Sequence, residues 1–225
     1  MRRLVILRPE PGASASLRRA SALGLDAILM PLFEIRPLDW TPPDPDAFDG
    51  VLATSANALR HGGTGLEQYN HLPLHAVGEA TADAAREAGF GNVFAGNGDV
   101  ETLLGSLPPD LRLFHPCGRE RRDLSAARQK IVSIPVYSAE ALPMPEGFSA
   151  VVDTVVAVHS ARAGERLAEL TNAAGIERSR VRIAAISEAA ASASGENWGA
   201  VMTAAEPSDS ALLELAARLC EKPQP

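Results

Sequence analysis

Two segments of the chain end an apolar run on a hydroxyl side chain that can begin a helix. The first extends from Val51 to Leu59 and carries Thr54 and Ser55 directly after three small or apolar residues. A serine or threonine oxygen at such a point caps backbone N–H groups in the first turn of a helix. The remaining N–H groups and the helix dipole attract anions, so the chemistry predicted for this segment is anion binding.

The same pattern returns about 105 residues later, where Ser160 takes the place of Ser55 in the segment from Val155 to Ala163. Other segments recur in the same order: residues 77–82 resemble 186–191, residues 90–94 resemble 198–202, and residues 101–104 resemble 210–213. Four matched segments in one order indicate a duplicated α/β unit.

Composition excludes several classes of protein. A chain of 225 residues with 46% hydrophobic residues can form two cores, in two domains of about 100 residues each. The formal charge of −7 argues against a nucleic acid or an anionic membrane surface as the main partner. Cys117 and Cys220 stand far apart and no ligand spacing surrounds them, so we expect neither disulfides nor a metal site. This cysteine usage fits a reducing cytoplasm, and no apolar run reaches membrane length.

The periodicity predicts alternating strands and helices. Residues 4–7 form a predicted first strand, followed by a helix that Ser14 or Ser16 could cap and that Gly24 ends. From Phe48 onward the predicted strands are 51–53, 74–77, 93–95 and 111–115, and the predicted helices include 81–88, 100–107 and 121–130. Such alternation is typical of a parallel sheet.

Two long extended segments, residues 27–36 and 131–140, each contain a proline that a central strand would not hold. If they pair with each other, the middle of the chain is inserted into the rest. The predicted organisation is a first domain of residues 1–35 plus 141–225, an inserted domain of residues 39–133, and a connecting ribbon of residues 31–38 and 134–140.

Taken together, these residues resemble the uroporphyrinogen-III synthase family of the tetrapyrrole pathway. The resemblance spans nearly the whole chain, and it depends on the order and spacing of several short motifs. These are Arg8-Pro9, Thr54-Ser55-Ala56-Asn57-Ala58, Val77-Gly78-Glu79-Ala80-Thr81-Ala82, Gly118 followed by Arg121-Arg122-Asp123-Leu124, Val136-Tyr137, Ser160-Ala161-Arg162 and Pro207-Ser208.

The resemblance implies an α/β fold of two similar flavodoxin-like parallel-sheet domains, joined by a two-stranded antiparallel ribbon, with the active site in the cleft between them. It implies a cofactor-independent lyase that cyclises hydroxymethylbilane to uroporphyrinogen III, inverting ring D and losing water. The implied setting is a cytoplasmic monomer without nucleic-acid or membrane partners. It would receive its substrate by transient hand-over from hydroxymethylbilane synthase.

The same resemblance suggests which residues form the site. Tyr137 is the catalytic candidate, because a phenol can donate a proton to a departing hydroxyl; the alternative is an ordinary packing tyrosine. Arginines bind carboxylates bidentately, and Arg121 could add to those of the predicted set. The predicted substrate-binding residues are Arg8, Thr54, Ser55, Ala56, Asn57, Gly78, Thr81, Gly118, Arg119, Ser160, Arg162, Ser187, Ala190 and Ser208.

Some positions leave alternatives open. Ser187 stands where the family usually has glycine, and Ala189 or Ala190 stands where it usually has threonine. His159 stands where threonine is common; we expect it to be a partly buried hydrogen-bonding residue. The side chains of Thr54, Ser55, Asn57 and Thr81 could serve only as helix caps. The competing function is a non-catalytic, two-lobed module that binds a small anionic ligand. A nucleotide-dependent transferase would need a phosphate-binding loop, which the sequence lacks.

Overall fold

The structure is a computed structural model that describes residues 1–121 and 123–221. These residues form a mixed α/β fold with parallel sheets. The strands are β1 Leu4–Ile6, β2 Ala27–Leu29, β3 Phe33–Pro37, β4 Gly50–Ala53, β5 Leu74–Ala76, β6 Val93–Ala95, β7 Arg112–Gly118, β8 Lys130–Ala141, β9 Val155–Val158, β10 Arg182–Ala185 and β11 Ala200–Thr203. The α-helices are α1 Gly12–Ala22, α2 Ala56–His61, α3 Glu79–Glu87, α4 Val100–Ser106, α5 Ala161–Ala173, α6 Glu188–Ser194 and α7 Asp209–Cys220.

The chain divides into two compact units. The first unit consists of Met1–Glu34 and Ala141–Pro225, and the second unit is Ile35–Glu140. The first unit contains a five-stranded sheet in the order β11-β10-β9-β1-β2, and all of its strand pairs are parallel. The central strands β1 and β9 are completely buried. Both faces of such a sheet are covered, which is why these strands are continuous apolar runs in the sequence.

The second unit contains a six-stranded sheet in the order β3-β8-β7-β4-β5-β6. The pairs between β8 and β6 are parallel, whereas β3 runs antiparallel to β8. Two hydrogen bonds show that direction: the Leu38 amide donates to the Val136 carbonyl at 2.9 Å, and the Leu142 amide donates to the Leu32 carbonyl at 2.9 Å. Pro135 lies in β8 beyond the last of these bonds, so its missing N–H removes nothing from that pairing.

The core of the second unit lies on both faces of its sheet. Val51 and Ala53 pack with Phe114 in one apolar cluster, whereas Leu52 and Leu113 pack with α4 in another. Successive residues of a strand point to opposite faces, and this alternation explains the division. Both clusters hold β4 and β7 rigidly, and these are the strands whose carboxyl ends carry the site residues described below.

The helix starts agree with the sequence at some positions and differ at others. Ser55 and Ser160 are N-cap residues whose hydroxyls accept hydrogen bonds from the helix backbone. The predicted caps of α1 are wrong, because α1 begins at Gly12 directly after Pro11 and has no side-chain cap. Thr81 does not cap α3 either, since Gly78 occupies the N-cap position and Thr81 is buried in the first turn.

The predicted helix over residues 121–130 is also wrong; of its residues, Arg122 lies outside the described part of the chain. Here the Asp123 carboxylate accepts hydrogen bonds from the Ser125 amide at 2.9 Å and from the Ser125 hydroxyl at 2.7 Å. The Gln129 side chain donates to the carbonyls of Leu104 and Leu107 at 2.9 and 3.2 Å. Side chains that bond to backbone groups compete with helix formation, and the segment forms turns before β8.

Within residues 1–121 and 123–221, no helix has the length and apolar character needed to cross a membrane.

Candidate active-site residues at two switch points

Each sheet has one place where neighbouring strands send their connections in opposite directions. In the first unit this place lies between β1, which leads to β2, and β9, which leads to β10. In the second unit it lies between β4 and β7 for the same reason. Open parallel sheets bind ligands beyond the carboxyl ends of the strands at such a switch point. Most of the polar residues considered below lie at these two places.

In the second unit, a buried histidine joins Thr54 to β8. Nε2 of His115 lies 2.9 Å from the Thr54 hydroxyl, and Nδ1 lies 2.9 Å from the Ser133 hydroxyl. Burial, together with the smaller effect of the nearby Arg121 charge, lowers the pKa of His115 to about 4. The imidazole is therefore neutral at physiological pH, with one nitrogen donating and the other accepting. It fixes Thr54, which is not the helix cap, at the end of β4.

Tyr137 reaches the start of α2 from β8. Its hydroxyl donates to the Ser55 hydroxyl oxygen at 3.2 Å, and the same oxygen accepts from the Asn57 amide at 3.2 Å. Burial raises the pKa of Tyr137 above its ordinary value, more than the hydrogen bond to Ser55 lowers it. The phenol thus keeps its proton at physiological pH, as a proton donor must.

Gly118 ends β7 against the ring of Tyr137. A β-carbon at this position would lie 2.9 Å from Cζ and 3.0 Å from the hydroxyl oxygen of Tyr137, closer than real contacts allow. The glycine is therefore required by the position of the phenol. The next residue, Arg119, donates its amide to the Tyr137 carbonyl at 2.8 Å, so the chain after β7 is tied to β8.

A polar cavity of about 610 Å³ lies beside these residues in the second unit. It shares Ser133 with the His115 network, and its walls carry two guanidinium groups. Its size suits a small organic ligand, and its cationic groups suit an anionic one. The lining residues are Arg119, Arg121, Asp123, Leu124, Ser125, Gln129, Ile131 and Ser133.

In the first unit, the switch point is organised around Asp209 at the start of α7. One carboxylate oxygen accepts from the Ser16 hydroxyl at 2.6 Å, from Arg8 at 3.3 Å and from Nε2 of His159 at 2.8 Å. The other oxygen accepts from Arg19 at 2.6 Å. The segments that follow β1 and β9, together with helices α1 and α7, contribute to this cluster.

Both titratable partners in that cluster have shifted pKa values. Burial alone would raise the pKa of Asp209, but the hydrogen bonds from His159, Ser16 and Arg19 outweigh burial and lower it. Burial lowers the pKa of His159, and the hydrogen bond to Asp209 only partly opposes this. The pair is therefore an ionised carboxylate that accepts a hydrogen bond from a neutral imidazole. His159 is buried and hydrogen-bonded.

The other predicted residues of the first unit lie at helix starts. Ser160 caps α5 and accepts from the Ala163 amide at 3.2 Å. Arg162, in the first turn of α5, lies over the Phe33 ring with its Cζ 4.8 Å from the centroid, which is a cation–π distance. Ser187 and Ser208 cap α6 and α7 in the same way as Ser160.

Three predicted positions offer little to a ligand through their side chains. The Ala190 side chain is completely buried, and its amide already donates to the Ser187 hydroxyl at 3.3 Å. A β-carbon at Gly78 would meet nothing closer than 3.6 Å, so the chain itself does not require glycine there. Ala56 is the first residue of α2, which has only six residues. Helix α5 has 13 residues, so of the two predicted anion-binding helix starts, those of α2 and α5, the start of α5 is the better supported.

Comparison with known families decides the identity. The sequence model of the family described as uroporphyrinogen-III synthase HemD matches residues 14–214. The chain belongs to the uroporphyrinogen-III synthase family. It is thus an enzyme of tetrapyrrole biosynthesis, and the alternative of a non-catalytic binding module is not favoured.

Solved structures of uroporphyrinogen-III synthases have the same fold. The chain matches the synthetase from Helicobacter pylori with a TM-score of 0.65 and 18% identity, covering 97% of this chain and 100% of that one. A mutant synthase from Thermus thermophilus matches with a TM-score of 0.55 and 19% identity, covering 97% and 99%. No curated protein matches the chain.

Three polar residues at the switch points are not among the site residues that the sequence predicts. Ser133 and His115 fall within predicted strands, and Asp209 lies in the segment that opens the last helix. The signal for His115 was a histidine placed inside an apolar run just before Pro116. No comparable signal marks Asp209, because an acidic residue in the first turn is ordinary for a helix.

Proposed function

We propose that the chain converts hydroxymethylbilane to uroporphyrinogen III with inversion of ring D and release of one water molecule, using Tyr137 as proton donor. The observation that carries this proposal is the protonated, partly buried phenol of Tyr137 on the Ser55 hydroxyl, in the same unit as a cavity lined by the guanidinium groups of Arg119 and Arg121. Family membership over residues 14–214 supports the overall reaction. The roles of individual residues rest on the geometry.

The reaction begins with the loss of a hydroxyl group. A proton from Tyr137 converts this poor leaving group into water and leaves an electrophilic azafulvene on the substrate. The substituted carbon of ring D then attacks the azafulvene to give a spiro intermediate. Fragmentation of this intermediate and reclosure at the other side of ring D invert the ring, and the proton released as the product regains aromaticity restores the balance.

Substrate binding requires that several carboxylates of hydroxymethylbilane are bound at the same time. Arginines suit this task because each can form two parallel hydrogen bonds with a carboxylate. In the second unit the arginine candidates are Arg119 and Arg121, with Thr54 and Ser55 as hydroxyl donors or caps. In the first unit they are Arg8 and Arg162, together with the start of α5 at Ser160. Holding the chain of rings in one folded conformation is itself a large part of catalysis.

We further propose that both units are flavodoxin-like and derive from one duplicated unit. The strand order supports this: β2-β1-β9-β10-β11 in the first unit corresponds to β8-β7-β4-β5-β6 in the second. The functional domains would be residues 1–35 plus 141–225 and residues 39–133, with residues 31–38 and 134–140 as the ribbon. By analogy with the enzyme family, we propose a cytoplasmic monomer that receives its substrate from hydroxymethylbilane synthase.

The product assay tests the reaction directly. Hydroxymethylbilane is generated in situ from porphobilinogen by hydroxymethylbilane synthase, the products are oxidised, and the type I and type III porphyrins are separated by chromatography. We expect the type III isomer in the presence of the chain. Only the spontaneous type I isomer would reject the proposed function.

Tyr137→Phe tests the proposed proton donor. Loss of a general acid typically costs about 100-fold or more in rate, so we expect type III formation to fall by at least about tenfold. Tyr69→Phe is a matched control in the same unit, because its buried hydroxyl donates to the Pro43 carbonyl and plays no part in the proposed site. Wild-type turnover in folded Tyr137→Phe would remove Tyr137 from the mechanism.

A further inference from the structure

His115 is a buried polar residue on an apolar face of β7. Two residues before it on the same face, Leu113 packs with α4 and with Leu52 of β4. His115 is only 1% exposed, and it pairs with Ser133 in the register of β7 and β8. Its ring nitrogens lie 2.9 Å from the Ser133 hydroxyl and 2.9 Å from the hydroxyl of Thr54, a partly exposed residue just beyond β4. The ring therefore connects an interior strand position to the end of β4, where parallel sheets bind ligands.

The direction of these two hydrogen bonds depends on the position of one proton. A neutral imidazole has one N–H donor and one acceptor nitrogen. With the proton on Nε2, the ring donates to the Thr54 oxygen and accepts from the Ser133 hydroxyl. With the proton on Nδ1, both directions are reversed, and the Thr54 hydroxyl donates to the ring. Only the first arrangement leaves the Thr54 proton for an acceptor outside this network.

The charge of Arg121 favours the first arrangement. Arg121 lines the same cavity as Ser133, and its charge contributes to the lowered pKa of His115, so its positive potential extends to the ring. When Ser133 donates to Nδ1, the hydroxyl oxygen and the Nδ1 lone pair are the negative ends of two dipoles on the cavity side of the network. A cation on that side stabilises both dipoles. The Asp123 carboxylate also lines the cavity, but the Ser125 amide and hydroxyl both donate to it.

We propose that His115 carries its proton on Nε2 and is a positioning residue that holds the Thr54 hydroxyl as a hydrogen-bond donor to a carboxylate of the substrate. The inference rests on the proposed function, because it specifies how one hydroxyl of that site recognises an anion. An ionised carboxylate only accepts hydrogen bonds, so it needs a hydroxyl whose proton is available. It is repelled by the lone pairs of a hydroxyl whose proton is bonded to the ring. His115 thus determines whether Thr54 attracts or repels a carboxylate.

Nitrogen chemical shifts measure the position of the ring proton directly. The full chain is labelled with isotope-enriched histidine and studied by NMR at pH 7 without substrate, where protonated and unprotonated ring nitrogens resonate well apart. The signals of His115 are identified by their absence in His115→Gln. We expect Nε2 to be the protonated nitrogen and Nδ1 the unprotonated one. The opposite assignment would overturn the proposal, and so would two shifts averaged between the tautomers.

A double-mutant cycle tests the contact with substrate. Thr54→Val removes the donor, and KM should rise about tenfold with little change in kcat, because a hydrogen bond to a charged group serves binding. His115→Met should raise KM about threefold, because the hydroxyl remains but can adopt three staggered positions instead of one. The double variant should be no worse than Thr54→Val alone, since both changes act on one contact. Additive effects, or a wild-type KM in either single variant, would overturn the proposal.

Matched variants separate positioning from stability. Thr171→Val removes another buried hydroxyl, which donates to the Leu167 carbonyl at 2.6 Å, and His75→Met removes a ring that stacks on Phe94. Both should keep the wild-type KM. His115→Gln retains an N–H donor near the place of Nε2, so its KM should be closer to the wild-type value than that of His115→Met. Equal KM values for these two His115 variants would refute the positioning role.

The two kinds of measurement keep this inference separate from the proposed function. If His115→Met does not fold, the nitrogen spectrum and the KM of Thr54→Val decide the question. A wild-type chain that forms the type III isomer while His115 carries its proton on Nδ1 refutes only the inference. A wild-type chain that forms only the type I isomer refutes the proposed function, and the substrate contact of Thr54 is refuted with it.

Discussion

The buried neutral state of His115 predicts a measurable pH dependence of stability. Burial, with a smaller contribution from the Arg121 charge, places the pKa of His115 at about 4 in the folded chain, compared with an ordinary value of 6.5. Between those pH values the unfolded chain binds a proton at this residue and the folded chain does not. The free energy of unfolding must therefore decrease as the pH falls from about 7 toward 4. Replacing His115 by glutamine, which does not titrate, should remove this part of the pH dependence.

The two pKa values set the size of the effect. The full difference between them corresponds to about 3 kcal/mol, and about 2 kcal/mol of this is lost between pH 7 and pH 5. Burial also lowers the pKa values of His61, His75 and His159. Those residues are present in both proteins, so their effects cancel when the wild-type chain and His115→Gln are compared.

Urea unfolding at pH 7, 6 and 5 measures the effect. From pH 7 to pH 5 the wild-type chain should lose about 2 kcal/mol more than His115→Gln, although the variant starts from a lower stability at pH 7. Ser133→Ala is the control, because it removes the partner of Nδ1 and leaves the titrating imidazole in place; it should keep the wild-type pH dependence. The same pH dependence in His115→Gln and the wild-type chain would refute the buried neutral imidazole and its role in fixing Thr54.

Three glycines give further predictions. Gly118→Ala should push the Tyr137 ring from its place and lower type III formation by about tenfold or more in a folded protein, since its β-carbon would lie 2.9 Å from Cζ; full activity would contradict the close contact. Gly105→Ala is its control, because a β-carbon there meets nothing within 4 Å, and it should gain up to about 1 kcal/mol in thermal unfolding without loss of activity. Gly164→Ala should cost about 2 kcal/mol, because its β-carbon would lie 2.5 Å from the Ser194 hydroxyl oxygen where α5 packs on α6; an unchanged melting temperature would contradict that packing.

The parts of the fold that could be predicted are those with a local physical cause. Strands β4 and β9 lie almost where the sequence predicts them, because a strand buried on both faces must be apolar at every position. Ser55 and Ser160 cap their helices because capping involves a side chain and an amide only two or three residues apart. Such interactions can be recognised from a sequence pattern that is only a few residues long.

The predicted helix over residues 121–130 does not form, because other hydrogen bonds compete with it. Its residues are compatible with a helix, but Asp123 and Ser125 bond locally in a turn, and Gln129 satisfies carbonyls at the end of α4 that lie more than 20 residues away. The corresponding segment in the first unit, after β1, does form a helix, α1. Hydrogen bonds to distant residues therefore decide between a turn and a helix, both of which the local sequence allows.

The polar networks of the site escape sequence analysis because their members are distant in the chain. Ser16 and Asp209 are 193 residues apart, and His159 and Asp209 are 50 apart. Nothing in the spacing of either pair identifies the contact, since it arises only when the strands order themselves in the sheet. Candidate arginines could be named from their residue type, whereas the carboxylate that orients Arg8 could be found only in the folded chain.

Residues in matching places at the two switch points differ in a way that bears on the chemistry. Register aligns Val5 with Val156 in the first sheet and Phe114 with Val51 in the second, so Arg8 and Cys117 occupy equivalent places three residues further on. An arginine at the strand end needs a carboxylate partner, which Asp209 provides. With buried Cys117 there instead, no such charge is needed, and neutral His115 and protonated Tyr137 can occupy the surrounding space. A carboxylate in that space would raise the pKa of His115 and favour its charged form. The residue at this position thus decides whether the end of the strand holds an ion pair, as in the first unit, or neutral hydrogen-bonding groups, as in the second, where the arginines lie in the neighbouring cavity instead.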